Sequence, residues 1–256
     1  MAPNIVVETK DRVTRIELAR VDKKNALTGE MYQLMADALV GAEADPQARA
    51  VLLHGTDECF CSGNDLKDFL ARPSDGESSP ALAFLRAIST ARKPVVAAVA
   101  GPCVGIGTTM LLHCDLVYAA PGCRFQLPFV PLGLVPEAAS TYLLPAMAGY
   151  HRAAELLLLG EPFGTDDALA AGIVTRVVPQ AELLARARQV ALSLAALPAA
   201  SVRLTKELMK KRQAAAVAEQ MAEEWRTFRD RLASPEAREA MTAFFEKRKP
   251  DFSRFD

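Results

Sequence analysis

Residues 95 to 115 constrain this chain most. They read Val-Val-Ala-Ala-Val-Ala-Gly-Pro-Cys-Val-Gly-Ile-Gly-Thr-Thr-Met-Leu-Leu-His-Cys-Asp, which predicts a buried strand, a glycine-broken turn and an apolar helix whose first turn is Gly105-Ile106-Gly107. A helix that opens this way presents unpaired backbone N–H groups and a positive dipole end to whatever lies ahead of it. The turn lacks the Lys-Ser/Thr ending of a P-loop and the full spacing of the dinucleotide fingerprint, so it reads poorly as a phosphate site. Two close glycines also serve a purely structural purpose, packing a helix tightly on its strand, and this stretch alone does not choose between the two.

A second stretch weighs on that choice. Cys59-Phe60-Cys61-Ser62-Gly63-Asn64-Asp65-Leu66-Lys67 again runs from a strand, Val51 to His54, through a glycine into a helical start. Two such starts can aim two backbone N–H groups at one oxygen.

With 30 basic and 31 acidic residues the net charge is −1, so nothing in bulk draws nucleic acid or an anionic membrane, and any anionic ligand must be met locally. The 256 residues, 50% of them hydrophobic and 24% charged, can bury a sizeable core. We expect a core over 1–197 and a helical region over 198–256. The five cysteines have neither disulfide-framework nor zinc-ligand spacing, and the three histidines share no metal-ligand spacing, so no metal is expected. No signal-type apolar core, presequence or membrane-length run is present, and a reducing cytoplasm is the expected compartment.

Taken in order, Ile5 to Thr9 and Val13 to Leu18 predict an antiparallel hairpin. Thr28 is a good N-cap for a helix carrying Met31, Leu34, Met35, Ala38 and Leu39 on one face. Strands over 50–54, 95–99, 116–119 and 173–178 alternate with helices, which argues for βαβ crossovers and a largely parallel sheet. The breaker-rich stretch 72–80 reads as a mobile loop. Pro136 is suited to the first position of a helix, which would place Glu137 in its first turn. After Pro198 the chain reads as helical to near its end, with Ser234-Pro235 opening the last helix, and Trp225 and Phe228 as packing residues.

The paired stretches at 59–67 and 101–115 resemble the crotonase (enoyl-CoA hydratase/isomerase) superfamily, and the resemblance runs from about Asn25-Ala26-Leu27 to Phe244-Phe245-Glu246-Lys247-Arg248-Lys249. It implies an α/β fold, a crotonase-like spiral of ββα units with a C-terminal helical trimerisation region, assembling as a homotrimer or a dimer of trimers. It also implies an acyl-CoA thioester substrate, with coenzyme A part of that substrate and no separate cofactor. The thioester oxygen would be held by the backbone N–H groups of Asn64 and Ile106, the substrate lying along Ser62, Gly63, Asp65, Leu66, Gly105, Gly107 and Phe129. Lys24, in a loop that is otherwise a solvated charge pair with Lys23, would meet a coenzyme A phosphate. Phe244 and Lys247 would serve coenzyme A from the terminal helix, often that of a neighbouring subunit.

The resemblance divides at the acid and base. Hydratases of the superfamily carry two glutamates where this chain has Thr109 and Phe129, so the pair of carboxylates that adds water is missing. The Δ3,Δ2-enoyl-CoA isomerases of the peroxisomal type instead carry one glutamate in a Leu-Gly-x-x-x-Glu stretch, matched here by Leu132-Gly133-Leu134-Val135-Pro136-Glu137. This implies a double-bond isomerase with Glu137 as proton shuttle. Other chemistries of the superfamily, hydration or thioester hydrolysis, and a non-catalytic acyl-CoA-binding scaffold are the alternatives. Apolar neighbours should raise the Glu137 carboxyl and a helix start should lower it, with no sequence signal for the winner.

Overall fold

The expected hairpin opens the chain. β1 (Ile5–Lys10) and β2 (Val13–Leu18) pair antiparallel with Ile5 opposite Leu18. Asp11 and Arg12 both take positive φ, 52° and 65°, the two-residue turn whose twist suits adjoining strands. The computed structural model describes residues 3–71 and 78–255; most of the loop expected over 72–80 lies outside them.

Helix α1 (Gly29–Ala44) begins where Thr28 Oγ1 accepts the Met31 N–H at 3.3 Å. Its buried face is Met31, Tyr32, Met35, Ala36, Leu39 and Ala42. Leu34, expected on that face, is 40% exposed, because Tyr32 and Ala36 turn the buried stripe one residue away from it.

The parallel strands follow: β3 (Ala50–His54), then α2 (Leu66–Ala71), α3 (Pro80–Thr90), β4 (Val95–Val99), β5 (Pro102–Val104) and α4 (Ile106–Thr109). Every residue of β3 and β4 is buried, as unbroken apolar runs require when both faces of a sheet are covered. The helix after the glycine turn is shorter than expected, a single α turn that tightens into a 3₁₀ segment over Met110–His113. Next come β6 (Leu116–Ala119), β7 (Arg124–Gln126) and a 3₁₀ turn at Val130–Leu132.

A correction falls at the next helix. α5 spans Ser140–Ala148, so Pro136 does not open it and Glu137 precedes it in irregular backbone. Ala138 and Ala139 take φ of 64° and 54°, left-handed conformations costing an alanine ~1–2 kcal/mol each. These two residues replace the expected helical turn and redirect the chain just after Glu137.

The remaining elements are α6 (Tyr150–Ala154) with a π turn over Glu155–Leu159, β8 (Phe163–Gly164), α7 (Thr165–Ala170), β9 (Arg176–Val177) and α8 (Gln180–Ala196). The strand expected over 173–178 is therefore only two residues long; Ile173 and Val174 are buried in the core outside it. The C-terminal helices are α9 (Ala199–Lys211), α10 (Ala214–Leu232) and α11 (Pro235–Phe245), the last capped by Ser234 as expected.

One sheet runs β1-β2-β3-β4-β6-β9, parallel from β2 onward. A smaller sheet, β5-β7-β8, joins β5 and β7 in parallel. α8 packs across β3, β4 and β6, and α1 lies against α3. Both glycine-bearing stretches thus follow the carboxyl ends of two neighbouring parallel strands of the main sheet, one after β3 and one after β4 by way of β5.

Candidate active site

The two stretches meet backbone to backbone, and the glycines explain how. A Cβ on Gly63 would lie 3.2 Å from the Val104 carbonyl oxygen, and one on Gly107 only 2.7 Å from that of Cys61. Between them Cys61 and Cys103 form a short parallel bridge, with Val104 N–H donating to the Cys61 oxygen at 2.9 Å. Gly105 has a different reason to be glycine: φ 54°, ψ −120°, a conformation that side chains avoid. Close packing and a special turn are both present, on different glycines.

Asn64 in the first stretch and Ile106 in the second each leave an N–H turned outward. Leu27 N–H donates to the Gly63 oxygen at 2.8 Å and Asp65 N–H to the Leu27 oxygen at 2.9 Å, so Asn64 between them points its own N–H to the other side. At the second stretch the N–H groups of Thr108 and Thr109 turn back to the Gly105 oxygen at 2.8 and 3.0 Å, leaving that of Ile106 at the open helix start. Among the described residues no oxygen accepts from either N–H, and Asn64 and Ile106 line one cavity of about 690 Å³.

Ser62, Gly63, Asp65, Leu66, Gly105 and Phe129 line it too, with Leu132 and Leu134 from the turn before Glu137. Gly107 does not; it supports the wall from behind. The Asp65 side chain is committed to structure, accepting from Arg20 at 2.8 Å and from the Lys67 and Asp68 N–H groups that open α2. Asn25, fully buried, donates to the Cys59 and Phe60 oxygens at 2.8 and 3.1 Å, which ties the 25–27 loop to the first stretch.

Three expectations shift. Lys23 and Lys67 line the cavity, while Lys24 is exposed outside the lining. Phe244, with Phe245 and Met241, lines the cavity of its own chain, and Lys247 lies outside it. Phe228, read as a packing residue, is both 5% exposed and part of the lining; the three-residue spacing to Trp225 fitted helix packing and gave no sign of that second face.

Glu137 is 8% exposed and is not itself among the lining residues, but the Thr109 it bonds to stands in the same helical turn as Ile106, which is. Its carboxylate accepts from the Thr109 hydroxyl, so the residue in place of a carboxylate at 109 now orients the one at 137. Burial pushes the Glu137 carboxyl up to about 8, with the Thr109 hydroxyl opposing and the negative charge of Glu224 adding to it. Since the chain enters no helix at 137, the helix start expected to lower it is not there.

Sequence reading missed two neighbours. Tyr32 donates to Asn64 Oδ1 at 2.6 Å; burial, then the charges of Glu137 and Cys61, push its hydroxyl well up, keeping it a neutral donor. Glu224, on α10, is 4% exposed. Neither stands in a motif: Tyr32 differs from other core residues of α1 only by a hydroxyl, and Glu224 lies among solvent-facing acidic residues in sequence. Among the described residues no cluster of three metal-ligating side chains occurs.

The family model described as Enoyl-CoA hydratase/isomerase matches residues 8–254. The chain is 36% identical over 252 residues to Enoyl-CoA delta isomerase 2 of Rattus norvegicus, covering 96% of this chain but 64% of that protein's length. It is 30% identical over 250 residues to a Mycobacterium bovis protein named "Probable enoyl-CoA hydratase echA8", covering 97% of each. A solved enoyl-CoA hydratase/isomerase from Pseudoalteromonas atlantica T6c superposes with a TM-score of 0.94 at 42% identity, over 98% of this chain and all of that one.

Proposed function

The chain belongs to the enoyl-CoA hydratase/isomerase family, the crotonase superfamily of acyl-CoA enzymes, and from that membership we propose that it is a double-bond isomerase converting 3-enoyl-CoA to 2-enoyl-CoA. The observation that carries this reading is the single carboxyl at the acid–base position: Glu137, buried and basic, bonded to Thr109 where a second carboxylate would serve hydration. Moving a double bond needs one base that takes a proton from C2 and returns it to C4, whereas adding water needs an activated water and a separate proton donor.

In this mechanism the thioester oxygen accepts from the N–H groups of Asn64 and Ile106. As the proton leaves C2, negative charge spreads from the oxygen over the dienolate, and two fixed donors stabilise it more than they do the neutral thioester; each is worth ~3 kcal/mol of barrier. Glu137, neutralised by the proton it has taken, then delivers it to C4. The raised carboxyl makes it a competent base near neutral pH, better matched to a carbon acid than an ordinary glutamate. Lys23 and Lys67 meet coenzyme A phosphates, and Phe228, Met241, Phe244 and Phe245 cover the pantetheine and acyl group. In the same reading the protein works as a trimer or a pair of trimers.

Glu137→Gln keeps size and polarity while removing the base. Turnover of 3-enoyl-CoA, followed by the absorbance of the 2-enoyl product, should fall by ~10²–10⁴ with acyl-CoA binding retained. Equal turnover in wild type and variant overturns the assignment; binding without turnover in either points to a non-catalytic scaffold; and robust hydration of 2-enoyl-CoA points to hydratase chemistry.

A further inference from the structure

Glu224 is a carboxyl in the middle of an otherwise apolar stripe: the buried residues of α10 are Met221, Glu224 and Phe228. Such a charge is retained only against specific partners. Here the partners all belong to the turn that follows Glu137. The Thr141 N–H donates to Glu224 Oε1 at 2.9 Å and the Thr141 hydroxyl to the same oxygen at 2.5 Å, while the Ser140 N–H turns back to the Glu137 backbone oxygen at 3.2 Å. Helix α5 has no side-chain cap of its own at Ala139, and the N–H of Thr141 in its first turn is capped instead from α10. On the other side of the turn His113 Nε2 bonds the Ala138 oxygen at 2.8 Å. The left-handed pair Ala138–Ala139 is thus gripped from both faces, directly after Glu137.

The second oxygen of Glu224 meets no donor among the described residues. Burial pushes the Glu224 carboxyl up, with the bonds from Thr141 opposing, and when it is ionised its negative charge raises the Glu137 carboxyl.

We propose that Glu224 is a positioning residue for Glu137, holding from the C-terminal helix the turn on which Glu137 rides and setting a second negative charge behind its carboxylate. This rests on Glu137 as the proton shuttle. Glu224 does not touch the substrate; it acts through Glu137, by fixing the backbone that aims it and by making its ionised form less comfortable and hence more basic. His113, which bonds the turn, and Tyr32, whose hydroxyl feels Glu137, both stay neutral in the working range, since burial takes His113 down to about 4 and pushes Tyr32 well up.

The test reads Glu137 directly. Protein made with glutamate labelled at its carboxyl carbon is titrated by carbon NMR, the Glu137 resonance being the one lost in Glu137→Gln. In Glu224→Gln, which can still accept from Thr141, the Glu137 midpoint should move to lower pH by roughly half a unit or more, and the acidic limb of the kcat profile should move with it at unchanged KM. A cap with no influence on Glu137 would lower thermal stability and leave the midpoint where it was, which overturns the proposal. Thr141→Val is the second variant should Glu224→Gln fold poorly. Lacking the hydroxyl donor, Glu224 holds its proton to higher pH, so the Glu137 midpoint moves the same way, and an unmoved midpoint overturns the proposal here too. A shifted midpoint in protein that never turns over 3-enoyl-CoA would keep Glu224 as the positioning residue and sink the isomerase reading instead.

Discussion

Glu137 fixes a sign that stability can report. Its carboxyl ordinarily titrates near 4.5 and is pushed up to about 8 in the fold, so the native state holds the proton more tightly than the unfolded chain does. The resulting stabilisation is full below about 4.5 and is lost as the pH rises through about 8, by ~1.4 kcal/mol for each pH unit between the two. Glu137→Gln carries no such charge. Wild type and variant should therefore melt alike at pH 5, and the variant should melt higher at pH 9; a difference independent of pH would mean that Glu137 is not buried as a carboxyl. The lysines make a second residue-scale prediction. Lys23→Ala should raise KM for an acyl-CoA several-fold at low salt through loss of a charge-assisted phosphate contact, with Lys24→Ala and Lys247→Ala smaller, because only Lys23 of the three lines the cavity. A larger effect at Lys24 in steady-state kinetics would restore the assignment drawn from resemblance. The sequence could not separate the two lysines, since which of two adjacent side chains enters a cleft depends on backbone that propensity does not encode: here Lys24 and Asn25 both take positive φ, 50° and 55°.

At the scale of elements, the glycines give opposite predictions from one substitution. Gly107→Ala puts a methyl 2.7 Å from the Cys61 oxygen, which must push the two N–H-bearing stretches apart; we expect a loss of ~1–3 kcal/mol of stability and a larger loss of turnover. Gly41→Ala, inside α1 with nothing within 4 Å of the added carbon, should raise stability by ~0.5–1 kcal/mol and leave turnover alone. Thermal unfolding and initial rates on both variants check the pair. The strands β3, β4 and β6 and the hairpin were legible to within a residue because buried parallel strands are unbroken apolar runs and a two-residue turn has a clear signature. The start of α5 was not. Pro-Glu ahead of an apolar run is a good local helix opening, but the fold spends two left-handed alanines there to bring Glu137 to Thr109, and Ala-Ala carries no signal for positive φ. β9 is cut to two residues where the Thr175 hydroxyl, rather than a backbone carbonyl, takes the Val117 N–H at 2.9 Å, a side-chain choice that the run Ile173 to Val178 does not announce.

Across the described residues, two groups of exposed apolar side chains lie away from the cavity that Phe244 and Phe245, 60% and 48% exposed, help to line. One lies on α9, where Leu204, Leu208 and Met209 are 57%, 68% and 67% exposed; the other gathers Tyr150, Leu158 and Leu159 at 72%, 62% and 56% around α6 and its π turn. A ring of identical subunits joins one patch to a different one on its neighbour, so two unlike patches suit a trimer better than a two-fold dimer, which pairs like with like. A cavity lined from Lys23 to Phe245 is already formed within the single chain. If no neighbour adds to it, assembly and substrate binding should be separable; if the terminal helix is lent to a neighbour, they should not. Leu204→Lys with Leu208→Lys places two charges on the α9 patch without touching the cavity, and if the protein is the trimer proposed, sedimentation should show it replaced by monomer. That monomer should bind acyl-CoA within a few-fold of wild type, since Phe244 and Phe245 reach their own cavity. A monomeric variant that no longer binds would show that the aromatic cover is exchanged between subunits, and an unchanged sedimentation coefficient would move the subunit contact off α9 altogether.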